Sequence, residues 1–219
     1  MTRRKRQTRA RGDADKAARR KAILHAAARV FEGSQYADIT MAQIARAAEL
    51  AKGTLYLYFP SKEELFLQLT IDALLGWMLK LGGELSPGAG IEPLSRRIAE
   101  TFVERPQLAR LLALMHSVLE QNITVETALR FKRALVSLLV LSAQAIELIA
   151  ELQPGEGTRF LLRLHAVMVG LSQMCDPSAP VAEARARSQE IEVLFIDLGE
   201  ELRVVAKMLL EGAASSART

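Results

Sequence analysis

The chain has 219 residues, 50% of them hydrophobic and only 5% aromatic, with a net charge of +4. That length allows one large domain or two modest ones around a sizeable core. Ala and Leu dominate and no alternating β-branched or aromatic run occurs, which excludes a sheet-built protein and predicts an all-α fold.

Charge is unevenly spread. The first 21 residues carry ten Lys and Arg (Arg3, Arg4, Lys5, Arg6, Arg9, Arg11, Lys16, Arg19, Arg20, Lys21) against Asp13 and Asp15, so the remainder sits at −4. A basic arm on a mildly acidic body is drawn to polyanions, most simply nucleic acid; it serves equally as a solvated tail that aids solubility. Either way residues 1–15 read as a flexible arm. No apolar run follows them, so they do not form a secretory signal. Cys175 is the only cysteine, which rules out an intramolecular disulfide and fits a cytoplasmic location. The most apolar stretch, 134–150, is broken by Ser137, Ser142, Gln144 and Glu147 and falls short of the roughly 20 residues of a bilayer span. A buried helix and no membrane partner are expected.

In chain order, an apolar stripe of Ile23, Ala27, Val30 and Phe31 predicts a first helix over 16–32, ended by Gly33 and Ser34. Asp38 and Thr40 both suit the N-cap of a second helix, and Thr40 followed by Gln43 has capping-box spacing; the helix runs to about Ala48, burying Ile44 and the small Ala45 and Ala48. After Glu49, Leu50 and Ala51 comes a third helix over 52–58, with Leu55 and Phe59 turned to the core. Its other residues, Lys52, Gly53, Thr54, Tyr56 and Tyr58, suit a phosphate backbone and base edges. A helix that short is marginal alone, so its neighbour must hold it, as in a helix-turn-helix offering its second helix to the DNA major groove. Pro60 stops it. Ser61 caps a fourth helix with Glu63 and Glu64 in its first turn, running past Trp77 to about Leu81. The Gly- and Pro-rich segment 82–93 is the clearest linker, which divides the chain into a head over 16–80 and a body over 81–219. Further helices are predicted over 92–104, 106–121, 124–152, 156–174 and 182–211, with a frayed tail from Gly212.

The string ILHAAARVFEGSQYADITMAQIARAAELAKGTLYLYFPSKEELF, within residues 22–68, resembles the head of the TetR family of bacterial transcriptional regulators. Its strongest part is KGTLYLYFPSKEELF, 52–66. The resemblance implies a homodimer, a palindromic operator and a small-molecule inducer held in the C-terminal part. Carried over position by position, it places Lys52, Gly53, Thr54 and Tyr56 toward the groove, Tyr58 and Lys62 on phosphate, and Thr40 where the second helix begins at the backbone. The residue chemistry agrees: phenol and ammonium groups donate to phosphate oxygens, and Gly53 permits close approach. The turn departs from the family's usual Gly-Val-Ser. Glu49 at a left-handed position costs about 1 kcal/mol, and Ala51 forgoes a Ser N-cap of similar value. Gln43 and Arg46 add contacts or form a solvated face, and Arg9 or Arg11 could enter a minor groove.

In the body, a ligand cavity among the helices would draw on Trp77, Phe102, Met115, His116, Leu119, Asn122, Phe131, Leu135, His165 and Met168; ordinary core packing accounts for each as well. This inventory suits an apolar or amphipathic effector. The stripes Phe160, Leu164, Val167, Leu171 and Ile191, Leu194, Phe195, Leu198, Leu202, Val205 suit a four-helix bundle between two subunits, or intrachain packing. His25, His116 and His165 lack zinc-site spacing, and no phosphate loop, nucleophile elbow or Cys–His pairing is present. No metal, cofactor or catalytic site is expected, and Cys175 reads as an inert thiol. Two functions compete: a ligand-responsive repressor, and a structural or division-control DNA-binding protein of the nucleoid-occlusion kind without an inducer.

Overall fold

The computed structural model describes the backbone of residues 2–83 and 85–215, with side chains from Ala14 onward. Among these residues it is helical, without a strand. Helix α1 spans Thr2–Glu32, so the basic segment read as a flexible arm continues the first helix instead. Arg, Lys, Gln and Ala are good helix formers, and Gly12 is the weakest position there. Arg9 and Arg11 have side chains outside the described part. Farther along, Ile23, Leu24, Ala26, Ala27 and Phe31 are buried as one face.

After a 3-10 turn at Tyr36–Asp38, α2 spans Met41–Ala47 and begins with the predicted capping box. The Gln43 amide donates to Thr40 Oγ1 at 3.2 Å, and the Thr40 amide to Gln43 Oε1 at 2.7 Å. The helix ends in a Schellman motif: Leu50 N–H bonds the Ala45 carbonyl and Glu49 N–H the Arg46 carbonyl, with Glu49 at φ 56°. The left-handed residue expected at position 49 is therefore present and is not glycine. Helix α3 spans Lys52–Tyr58 from an N-cap, Ala51, that supplies no side-chain bond.

Helix α4, Lys62–Gly82, starts at Ser61, whose hydroxyl accepts from the Glu64 amide. It serves two cores. Leu65, Phe66, Leu67 and Leu69 join Phe31, Ile44, Leu55 and Phe59 in one; Trp77 and Leu81 join the other. The first core is not confined to the head, because Leu111, Met115, Leu119 and Phe131 from farther along the chain complete it. The expected linker is a loop inside the body: the Gly88 and Gly90 amides donate to the Leu148 and Ile149 carbonyls, both glycines at positive φ.

The body comprises α5 (Ile91–Val103), α6 (Pro106–Leu114), α7 (Val125–Ala150), α8 (Glu156–Met174), α9 (Ala179–Arg187) and α10 (Leu198–Ser215). Two predicted helices are broken. The one over 106–121 passes into a π-helical turn at Met115–Leu119 and a 3-10 turn at Glu120–Asn122. The one over 182–211 divides at extended Ser188, a 3-10 turn at Gln189–Leu194, and Asp197, whose carboxylate accepts from the Glu200 amide. Ser and Asp compete with the helix for backbone bonds and favour caps. Of the expected frayed tail, 212–215 continue α10.

Length alone does not set α7 apart from a bilayer span, contrary to the sequence expectation: α4 and α7 are both long and apolar enough by composition. Here each lays one face on the core, and α7 also carries Arg130, Lys132 and Arg133 at exposed positions. α7 and α8 cross so closely that a Cβ on Gly157 would run into the Ala143 carbonyl. α10 lies on α5 and α8 and buries Leu202, Ala206, Leu210 and Ala213 at helical spacing.

Candidate nucleic-acid interface and apolar cavity

Helix α3 hangs on the head core by Leu55 and Phe59 and exposes Lys52, Gly53 and Tyr56, with Thr54 and Tyr58 half-buried. Lys52 Nζ lies 5.9 Å from the Tyr56 ring centre. A Cβ on Gly53 would meet nothing within 4 Å, so no intrachain contact requires glycine there. Leu57 is 81% exposed on this face and was missed by sequence reasoning. Its position two residues after core Leu55 was the available signal, and its methyls suit contact with a thymine methyl.

Two expected contact residues have other work inside the chain. The Lys62 ammonium donates to the Tyr36 and Ile39 carbonyls, both at 2.9 Å, and sits 4.0 Å from the Tyr36 ring centre. With two of its three donors committed, it fastens α4 to the turn before α2, which redirects the phosphate role read for it. Tyr36 in turn donates to Glu63, and burial pushes its phenol pKa far up. Thr40 spends its hydroxyl on the α2 cap. Beneath α3, Arg20 lies 4.1 Å from the Phe59 ring centre and donates to the Tyr58 carbonyl.

The body holds an apolar cavity of about 290 Å³, walled by α4, α6, the π turn, α7 and α8. Of the expected lining residues, Trp77, Met115, His116, Leu135, His165 and Met168 face it. The other four do not. Phe102 packs edge-on behind Trp77, at 5.9 Å between ring centres. Leu119 and Phe131 point into the head core, and the Asn122 amide donates to the Val118 carbonyl. Leu74, Met78, Leu112, Lys132, Leu139 and Leu161 line the wall without having been foreseen, since no sequence pattern separates the cavity side of a helix from its packed side. Trp77 is fixed from behind, where its indole N–H donates to the buried Thr101 hydroxyl at 2.9 Å.

One edge of the cavity is polar. His116 Nε2 stands 3.2 Å from His165 Nε2, and His116 Nδ1 stands 3.4 Å from Glu120, which Lys132 holds at 2.7 Å. Burial chiefly, then His116 and Lys132, hold the His165 pKa below its ordinary range. His116 belongs to the π turn; such turns recur at functional sites. No group of three or more His, Cys, Asp or Glu suited to a metal occurs among the described residues. Burial, then Asp197 and Glu201, push the Cys175 thiol up, away from a reactive thiolate.

The expected dimer residues mostly face inward. Phe160, Leu164 and Leu202 are buried within the chain, and Leu164 also lines the cavity. Val167, Leu171 and Leu198 pack partly against the same core. Leu194 is exposed, but on the 3-10 turn, off the α10 stripe. The stripes read as subunit-facing are those that seat α8 and α10 in their own fold.

Comparison with known families gives two matches: the family model for bacterial regulatory proteins of the tetR family over residues 23–69, and the tetracyclin repressor-like C-terminal domain over residues 73–217. The chain belongs to the TetR family. The boundary between these matches falls inside α4, not at the loop after Gly82. Among curated proteins, the transcriptional regulator RutR of Escherichia coli is 33% identical over 100 residues, 44% of this chain and 47% of that protein. The chain thus matches about half the length of this relative. Two solved structures share the fold. A TetR regulator from Rhodococcus sp. RHA1 has a TM-score of 0.58 at 21% identity, over 90% of this chain and 98% of that one. Thermus thermophilus FadR, a TetR-family repressor in complex with lauroyl-CoA, has a TM-score of 0.59 at 23% identity, over 88% and 94%. This TetR-family chain is a transcriptional regulator with a DNA-binding helix-turn-helix head.

Proposed function

We propose that this regulator is a cytoplasmic, ligand-responsive repressor, without catalytic activity, that binds a palindromic operator as a homodimer. A small apolar or amphipathic effector would release it. The observation that carries this proposal is the cavity and its connection to α3: α4 is capped against the recognition helix at Ser61 and walls the cavity with Trp77. Polar bridges tie the same parts together. Glu64 on α4 accepts from Thr127 at 2.8 Å and Arg130 at 2.9 Å on α7, and Arg110 on α6 bonds the end of α1. The lauroyl-CoA complex of FadR supports an amphiphile within this fold.

For DNA, Lys52, Gly53, Thr54, Tyr56 and Leu57 are the groove-facing set, with Tyr58 and the α2 start at Thr40 beside the backbone. A two-fold dimer would place two α3 helices about 34–36 Å apart. The candidate interface residues are the outward ones of the last long helices, Ala166 and Met174 on α8 and Val204 and Met208 on α10, each exposed in the single chain. A ligand that prefers one α4 tilt by about 3 kcal/mol would lower operator affinity roughly 100-fold.

A genome-wide binding map followed by ligand release tests this function. A few sites beside its own gene, released by an apolar compound in the native protein and not in Trp77→Ala, are expected. Dozens of scattered sites that no compound releases would favour the structural DNA-binding role.

A further inference from the structure

We infer that the cavity's ligand is an acidic amphiphile of medium chain length, its carboxylate seated on the His116–His165 pair beside Lys132 and its tail among Trp77, Leu139 and Met168. The inference rests on the effector reading of that cavity and adds the chemistry of the ligand's head.

Size comes first. At about 30 Å³ per water-sized unit, 290 Å³ holds on the order of ten non-hydrogen atoms, which is the size of an eight-carbon acid. All but a small share of the wall is aliphatic, aromatic or thioether, so the body of the ligand is hydrocarbon.

The polar edge then sets the head. Each neutral imidazole has one N–H, so two facing Nε2 atoms share one proton between them. Glu120 fixes which: as an acceptor it favours a proton on His116 Nδ1, leaving His116 Nε2 to accept from His165 Nε2–H. The charged groups facing the pair are Glu120 and Lys132, which neutralise one another at 2.7 Å. With both imidazoles neutral the edge carries no net charge. It gains positive charge when a proton is added, and loses nothing further when one is removed. A carboxylate entering there meets the Lys132 ammonium and, once a proton is taken up, an imidazolium N–H; it therefore stabilises the protonated pair and draws a proton onto it. An ammonium head meets Lys132 and finds Glu120 already engaged. A hydroxyl gains a single neutral hydrogen bond.

The sole tryptophan, Trp77, stands in the wall and reports occupancy by its fluorescence without DNA. The full-length protein is titrated with octanoate, 1-octanol and octylammonium at pH 6 and pH 8. Octanoate is expected to bind roughly tenfold tighter than octanol, the scale of one charge-assisted hydrogen bond, and tighter at pH 6 than at pH 8. Octanol should be indifferent to pH and octylammonium the weakest. His116→Ala, at an exposed side chain, and Lys132→Met should abolish the octanoate preference, so that octanoate and octanol bind alike. Equal binding of all three probes, or a preference for octylammonium, overturns the head assignment and leaves the cavity's effector role standing. Silence of Trp77 toward all three overturns both.

Discussion

Arg110 sits 4.1 Å from the centre of the Phe31 ring and donates from Nη1 to the Phe31 carbonyl at 2.8 Å. Its second nitrogen reaches the Ser34 carbonyl. The last carbonyls of a helix have no partner within it, so a side chain of α6, whose Leu112 walls the cavity, caps α1 of the head. Arg110→Ala is expected to cost about 1.5–3 kcal/mol, as for a charged hydrogen-bond donor, and to reduce ligand-driven release of DNA more than ligand affinity. Chemical denaturation and a release titration check the two halves; unchanged release would mean that the coupling runs through α4 and α7 alone.

Lys62 gives a second expectation. With its ammonium bonded to Tyr36 and Ile39, Lys62→Met should lower stability by about 1–3 kcal/mol and leave the salt dependence of DNA binding nearly unchanged. A salt slope lower by about 1 with stability intact would show instead a phosphate anchor.

The turn before α3 can be improved. Glu49→Gly relieves a left-handed non-glycine residue, and Ala51→Ser supplies the missing cap; each should add about 1 kcal/mol, slightly less for glycine because the unfolded chain also gains freedom. Melting curves of the two variants and their combination measure this. No gain from Ala51→Ser would mean that the serine hydroxyl fails to reach the α3 amides.

His165 makes stability depend on pH. Its pKa is held below the ordinary 6.5 in the fold, so the unfolded chain takes up a proton first as pH falls. Stability is therefore expected to decline below about pH 6.5, and the decline should be shallower in His165→Gln. Denaturation at pH 7.5 and pH 5.5 reads the difference; identical pH profiles for both proteins would place the titrating group elsewhere.

Met208 and Leu202 separate the two faces of α10. Met208→Glu, on an exposed position, should yield folded monomers, whereas Leu202→Glu buries a charge within the chain and should unfold it. Sedimentation with circular dichroism distinguishes them. A Met208→Glu dimer of normal stability would move the subunit interface off this helix.

The head was legible because its signals are local. Thr40 with Gln43, Ser61 with Glu64, Pro60, and the spacing of Leu55 and Phe59 act within one turn, and each takes the conformation its chemistry favours. The body was legible as helices but not in which way they face. Phe160, Leu164 and Leu202 form stripes that would serve a partner or the chain's own core equally well. Leu119 and Phe131 look like cavity wall until the head is seen to need them. The His116–His165 contact joins residues 49 apart across a π turn, and no short-range pattern announces it. Lys62 shows another limit: an ammonium near a DNA-binding helix reads as a phosphate donor, and only the fold reveals two carbonyls at its tip.

Leu111, Met115, Leu119 and Phe131 complete the core that contains Phe31, Ile44 and Phe66. Heads and bodies of this architecture are therefore not interchangeable modules here. A chimera that grafts residues 14–69 onto the body of a relative would inherit whatever side chains that body offers at four positions, and a mismatch would open a void under α1 rather than merely alter a hinge. Transplanting the four together with the head, or redesigning them to its contour, is the requirement for building a regulator with a new operator from this one.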